Sequence, residues 1–515
     1  MGADGQFSPY AESSMTTSIA HPARPREPAS DPAAVEPPRL AAAAAGWVLL
    51  GLLCTLVLMV TGSRLADRRF HWWFRVVIDP AWTERVLFYL GMAGLVVAWV
   101  GLARFARADR FRPWWMSAAA FLWCVPLLVG PPLFSHDIYS YLAQGTIAHI
   151  GLSPYKDAPA VLGGLGYHHV LQAVDPFWRG ATAPYGPLFL GVISLIVGLT
   201  GSHVFAGVIL IRLFDLLGLG LLAVLVPRIA GHLGADPVRA AWLAVASPVM
   251  LLQLVSPGHN DLLMAGVMVA GICLALEGRP LLGIVVCMVA TTIKLPAFAA
   301  AVFIAVAWIR TAPSLRAGIE RAVSAVIAAV ATAAAVTLIT GFGLGWISTS
   351  LFSTPGRVRL AITPATDLSF TIAKLLSGVS FTDVEPVLRA LLVAATAIVG
   401  LVMVIRTRRH TLVKYLAVAL VAAAIGGPAL WPWYLAWGLP LLAAWRTSQR
   451  SWVLVAAIVV ASFLVKPDGI LLLSRGSSPV IAGLWVVTAG LAVLAWWRRA
   501  RDQRPQVSTS PATDP

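Results

Sequence analysis

Apolar runs of membrane-spanning length recur about fourteen times along this chain, and they limit it to one kind of fold. Hydrocarbon offers no partners to a bare backbone, so each such run must close its own hydrogen bonds as a helix. The expected spans are 41–62, 84–105, 113–134, 184–201, 203–227, 238–256, 260–277, 280–309, 320–344, 386–405, 412–427, 428–445, 451–466 and 480–497. Residues 280–309 are long for one span and carry Lys294 and Pro296, so they read as broken or strongly tilted. The region 412–445 holds Gly426-Gly427-Pro428 and admits more than one division. With 58% hydrophobic and 12% charged residues, no soluble fold fits, and an all-α polytopic membrane protein is predicted.

Arginine positions orient the spans. Arg104, Arg107, Arg110 and Arg112 crowd one link, Arg406, Arg408 and Arg409 another, and Arg446 and Arg450 a third. Arg498, Arg499, Arg501 and Arg504 follow the last span. If these lie in the cytoplasm, both termini are inside and the loops near 63–83, 135–183, 345–385 and 467–479 face outward. The first of those loops runs against the rule, with Arg64, Arg68, Arg69 and Arg75. The net charge of +15 fits inner loops facing anionic lipid, and no nucleic-acid motif accompanies it. Residues 1–40, rich in Pro, Ala, Ser and Glu, read as a disordered cytoplasmic tail, and the first span as a retained anchor. The membrane domain is expected over 41–497, with a cytoplasmic tail at 498–515. The four cysteines, Cys54, Cys124, Cys273 and Cys287, sit in apolar segments as small buried hydrophobes without metal or disulfide spacing. No internal repeat is visible.

One polar stretch, 134–187, interrupts the apolar pattern on the outer side. Starting a helix at Asp137 and turning 100° per residue places Asp137, Ser140, Tyr141, Gln144 and Ala148 on one stripe. Tyr139, Leu142, Ala143, Thr146, Ile147 and Ile150 fall on the other. That predicts an interfacial helix with its apolar side in lipid and its polar side on a cavity, ended by Gly151 and Pro154. Asp137 suits a first helical turn, where the dipole favours an anion. From the residues alone it reads equally as a capping residue or as a general base taking a proton from a sugar hydroxyl.

His136, Tyr141, Gln144, Tyr155 and Tyr185 are candidate substrate-binding residues. Each has an ordinary reading as well, as a surface histidine, a solvated helix face or an interfacial tyrosine. Lys294, inside an apolar run, must face protein, a cavity or an anion. Lys294, Arg357 and Arg359 are candidates to stabilise a departing phosphate. Arg212 and Asp215 are spaced to form a structural ion pair. Ser256-Pro257-Gly258-His259-Asn260-Asp261 breaks two spans, and the span count puts it on the cytoplasmic side, away from Asp137 and outside the catalytic set. Phosphate-binding glycine loops, nucleophile elbows and zinc motifs are missing. No carboxylate cluster has metal-ligand spacing, so neither metal nor cofactor is expected. No soluble region is long enough to bind a nucleotide sugar, so an activated donor would be carried by lipid.

Three blocks together carry a resemblance: Phe134-Ser135-His136-Asp137-Ile138-Tyr139-Ser140-Tyr141-Leu142-Ala143-Gln144-Gly145, Gly151-Leu152-Ser153-Pro154-Tyr155 and Ala183-Pro184-Tyr185-Gly186-Pro187. With Gly258-His259-Asn260-Asp261 and Lys294-Leu295-Pro296-Ala297, they resemble the actinobacterial polyprenyl-phosphate-mannose-dependent α-1,6-mannosyltransferases, the A and B enzymes of lipomannan and lipoarabinomannan assembly. The resemblance implies a GT-C fold, a polyprenyl-phosphate-mannose donor and a lipid-anchored α-1,6-mannan acceptor. It also implies inversion at the anomeric carbon, with Asp137 as the base on the outer face of the plasma membrane. Two other readings remain: a GT-C enzyme using another polyprenyl-phosphate sugar such as arabinose or glucose, and a transporter or flippase for a lipid-linked saccharide. The last predicts essential charge pairs at mid-membrane, such as Arg212 with Asp215.

Overall fold

The computed structural model describes residues 38–490 apart from 67–71, 108, 110, 354–357, 360–361, 474 and 489. The expected tails lie outside the described residues except for 38–40, and so does Arg357. The described chain is helical, with one isolated bridge between Val465 and Leu471. In order the helices are α1 (Pro38–Leu65), α2 (Ala81–Leu102), α3 (Pro113–Val129), α4 (Asp137–His149), α5 (His168–Ala173), α6 (Pro187–Thr200), α7 (Val204–His232), α8 (Pro237–Ala244) and α9 (Pro248–Met250). Then come α10 (Asp261–Leu276), α11 (Pro280–Thr291), α12 (Phe298–Ile309), α13 (Leu315–Thr340), α14 (Gly345–Ser348), α15 (Pro364–Leu375) and α16 (Phe381–Arg406). Last are α17 (Leu412–Gly426), α18 (Leu439–Ala443), α19 (Arg446–Gln449) and α20 (Trp452–Phe463). Proline at the first position opens α3, α6, α8, α9, α11 and α15, where its missing N–H has no partner to lose.

Among the described residues five helices are long and apolar enough to cross a membrane alone: Ala42–Leu65, Ala81–Phe105, Val204–His232, Leu315–Thr340 and Phe381–Arg406. The pair Pro237–Ala244 and Pro248–Val255, bent by 41°, is long and apolar enough only when taken together. Shorter apolar helices fill in between, and the chain is a polytopic membrane protein. Contacts across the bundle define its two ends. At one end Arg228 pairs with Glu277 at 2.7 Å, Arg239 Nε donates to the Gln449 carbonyl at 2.7 Å, and Arg409 Nη2 donates to the Leu276 carbonyl at 3.2 Å. This end gathers the arginine-rich links. At the other, Phe134 N donates to the Pro467 carbonyl at 3.0 Å, beside Asp137.

Two features correct the span count. The segment 184–201, expected to cross, forms α6, which runs parallel to α4 and against it: Tyr141 meets Phe189, Gly145 meets Ile193, and His149 meets Gly198. The chain after α6 stays with the loop it came from, and the His169 ring contacts the Ser202 carbonyl at 3.3 Å. The segment 280–309, expected as one broken span, is a hairpin, α11 and α12, whose turn carries Lys294. That turn docks on the start of α6: Gly186 N donates to Ile293 and Leu188 N to Thr292, both at 3.0 Å. These contacts move residues 201–294 to the ends of the bundle opposite to those the span count gave them, and leave the rest of the order unchanged.

The α4 helix forms as its periodicity predicts. Its second stripe, expected against lipid, is instead covered by protein, and Tyr139, Leu142, Ala143, Thr146 and Ile147 are at most 2% exposed. The neighbours are α6 and α7, with Leu142 pressed on Gly207. The α7–α10 crossing is closer still. A Cβ on Gly218 would sit 2.3 Å from the Leu262 carbonyl oxygen, so only glycine fits, as at small-residue crossings in membranes.

Candidate active site

The site is assembled around the first turn of α4. Phe134 adopts φ 68°, a conformation that costs a bulky residue roughly 1–3 kcal/mol, and is held there by full burial beside Phe88 and by its N–H bond to Pro467. The chain then turns through Ser135, whose Oγ accepts from Asp137 N at 3.2 Å. Asp137 begins the helix and lines a cavity of about 720 Å³. Its side chain is 20% exposed. Burial pushes its carboxyl up to about 6; the Lys294 ammonium pulls it down, while the carboxylates of Asp261 and Asp175 raise it further.

The polar break 256–261, placed by the span count at the far end, faces Asp137 directly. His259 Nδ1 lies 3.8 Å from Asp137 Oδ2 and 3.2 Å from the Tyr141 hydroxyl. Its ring stacks on Trp433 at 4.1 Å. Burial first, then Lys294, hold the imidazole well below its ordinary pKa, so it stands neutral beside the carboxylate. Asp261 is fully buried and bound on both oxygens: Lys294 Nζ donates to Oδ2 and Trp437 Nε1 to Oδ1, each at 2.6 Å. Lys294 also lies 5.3 Å from the Tyr434 ring centre and 6.0 Å from that of Tyr185. The cavity therefore presents one largely unpaired carboxylate, one neutral imidazole behind it, and one ammonium anchored by a second carboxylate. Among the described residues no group of three or more His, Cys, Asp or Glu is placed to hold a metal.

The other sequence candidates divide. Gln144, Tyr185 and Lys294 line the cavity with Asp137. The Oε1 of Gln144 and the Oγ of the neighbouring Ser140 are buried without a hydrogen-bond partner. Tyr141 is fully buried against Tyr185 and Phe189 and reaches His259. Tyr155 donates to the Tyr185 carbonyl at 3.0 Å, holding the two ends of the loop together. The His136 ring contacts the Ala66 carbonyl at 3.0 Å, at the end of α1. Arg359 pairs with buried Glu385 at 3.3 Å, and Glu385 also bonds Arg389. Arg357 lies outside the described residues. The expected Arg212–Asp215 pair does not form. Arg212 donates to the carbonyls of Leu128 and Gly130, each at 2.7 Å, and to that of Ser256, while both Asp215 oxygens are buried without a hydrogen-bond partner. Three carbonyls at the ends of neighbouring segments offer Arg212 more than one carboxylate on its own helix.

Sequence reasoning set aside His259 and Asp261 on sidedness alone, and missed the aromatic wall of Trp431, Trp433, Tyr434 and Trp437. The available signal was Trp431-Pro432-Trp433-Tyr434, three aromatic residues and a proline in an apolar run, which is too rigid and too polar for lipid contact alone. The same cavity continues past the charges between α12, α16 and α17, along Val302, Phe303, Ala397, Gly400, Leu420 and Ala423.

Residues 40–310 match the MptA_B family profile, described as Alpha-(1->6)-mannopyranosyltransferase, N-terminal domain, and residues 365–498 match the MptB C-terminal domain. The chain is similar to Alpha-(1->6)-mannopyranosyltransferase A of Mycobacterium tuberculosis, 32% identical over 452 residues that cover 83% of this chain and 84% of the relative. It is 34% identical to a probable alpha-(1->6)-mannopyranosyltransferase of Mycolicibacterium smegmatis, over 72% of this chain and 73% of the relative. Alpha-(1->6)-mannopyranosyltransferase B of Corynebacterium glutamicum is 26% identical over 82% of this chain and 75% of its own length. No solved structure matches.

Proposed function

We propose that this chain, which belongs to the MptA_B family of alpha-(1->6)-mannopyranosyltransferases, transfers mannose from polyprenyl-phosphate-mannose to a growing α-1,6-mannan chain of lipomannan or lipoarabinomannan. The reaction runs with inversion at the outer face of the plasma membrane. One observation supports a lipid-linked donor above all: a single cavity joins the Asp137 carboxylate to an apolar channel between α12, α16 and α17. A sugar phosphate would lie at the charged end and its isoprenoid tail along the channel. Asp137 takes the proton of the acceptor 6-hydroxyl. That oxygen attacks the anomeric carbon, the bond from the anomeric carbon to the phosphate oxygen breaks, and polyprenyl phosphate leaves towards Lys294. Neutral His259 braces the base from behind without competing for its proton, and the Trp431–Trp437 wall offers ring faces to the sugars.

The test is transfer in membranes by the Asp137→Asn protein, with folding checked by monodisperse purification. Loss of transfer is expected, and near-normal turnover would refute the base assignment. Offering purified enzyme a series of polyprenyl-phosphate sugars decides the sugar, with mannose expected to be the one transferred.

A further inference from the structure

A second, smaller cavity of about 200 Å³ lies at the arginine-rich end, far from Asp137. It is walled by Leu276 of α10, Ile304 and Trp308 of α12, Arg321 of α13, and Arg409 and Leu412 at the start of α17. Arg321 is fixed there. Its Nη1 donates to the Trp308 carbonyl at 2.8 Å and to Thr311 Oγ1 at 2.9 Å, and its guanidinium sits 5.6 Å over the Trp308 ring. Arg409 is tied through Nη2 to the Leu276 carbonyl at 3.2 Å. Carbonyls and a hydroxyl orient these cations but do not neutralise them.

Among the described residues no carboxylate lines the cavity. The two acidic residues closest in sequence are already taken: Glu277 pairs with Arg228 at 2.7 Å and Glu320 with Arg316 at 3.0 Å. Two fixed guanidinium groups thus share a cleft whose remaining walls are mostly apolar, with their charge unmatched by any described carboxylate. Guanidinium forks match phosphate oxygens, and two on one cleft would clamp a single phosphate. The apolar walls favour a phosphate that carries hydrocarbon over a hydrated free ion.

We propose that this cleft binds the headgroup of an anionic phospholipid. Retention of phosphatidylglycerol against phosphatidylcholine, measured by native mass spectrometry of the purified full chain, tests this. Phosphatidylglycerol is expected to stay bound, and each arginine replaced by glutamine to weaken it by roughly fivefold. Arg409→Gln removes only one hydrogen bond and so guards against misfolding of the double variant; mannosyl transfer by either variant in anionic membranes reports that the distant site is intact. Equal retention of the two lipids, or unchanged phosphatidylglycerol binding by the Arg321→Gln, Arg409→Gln protein, would overturn the proposal. So would thermal stabilisation by inorganic phosphate as large as that by phosphatidylglycerol, since it would assign the cleft to the free ion.

Discussion

Asp137 and Lys294 face one cavity under opposite constraints. Asp137 has a neutral neighbour, one-fifth exposure and a carboxyl raised to about 6. Only its unprotonated form can act as a base, so transfer is expected to rise with pH through about 6 and to level off above it. Below that the rate should fall about tenfold per pH unit. A pH profile of the purified enzyme checks this, and Asp137→Asn should lower turnover by about 10²- to 10⁴-fold. Lys294 is held by Asp261, and Asp261 by the Trp437 indole. Trp437→Phe keeps the ring but leaves a buried carboxylate oxygen without its donor, at a cost of about 1–3 kcal/mol. Turnover is expected to fall roughly tenfold while the protein still purifies folded. The place of Asp137 at the start of α4 was legible in the sequence because an acidic residue opened an amphipathic helix in a polar loop. Asp261 was less so, because its meaning depended on which end of the bundle it occupied.

At the scale of helices, periodicity placed α4 correctly and misread its surroundings. An apolar stripe looks the same whether lipid or protein covers it, and α6 shows the consequence. With the loop before it, it is long and apolar enough to pass for a crossing, yet it lies alongside α4. The turn at Lys294 misled in the opposite sense, since Lys294 and Pro296 were read as a break within one helix when they separate two. Both readings meet at Gly186, where the end of the loop touches the α11–α12 turn. A Cβ there would lie 2.0 Å from the Thr292 carbonyl oxygen, so Gly186→Ala must push the backbones apart. A destabilisation of about 1–3 kcal/mol is expected from such overpacking. Transfer should suffer more than folded yield, because Tyr185 and Lys294 flank the contact. Thermal melting set beside activity separates the two effects.

For the molecule as a whole, the arrangement puts residues 137, 169, 203, 259 and 294 at one end and 234, 279 and 409 at the other. Single cysteines at His203 and Gly234, treated in intact cells with an impermeant thiol reagent, should label at 203 and not at 234; the reverse pattern would place Asp137 in the cytosol and overturn the proposed reaction. The apolar channel makes a separate prediction. No atom lies within 4 Å of a Cβ built on Gly400, so a side chain there starts in open space and Gly400→Phe is expected to narrow the passage. Its KM for long-chain polyprenyl donors is expected to rise about tenfold, with little change for a short-chain analogue. Under the proposed reaction, the turn joining α11 to α12 has one more consequence. A cation carried between two antiparallel rods is pinned in depth by both, so the carrier's head can be met where it already floats, with no need to be hoisted out of its leaflet. The growing glycan must then dip its youngest sugar down to the carrier, while the older ones lead back to its own lipid anchor.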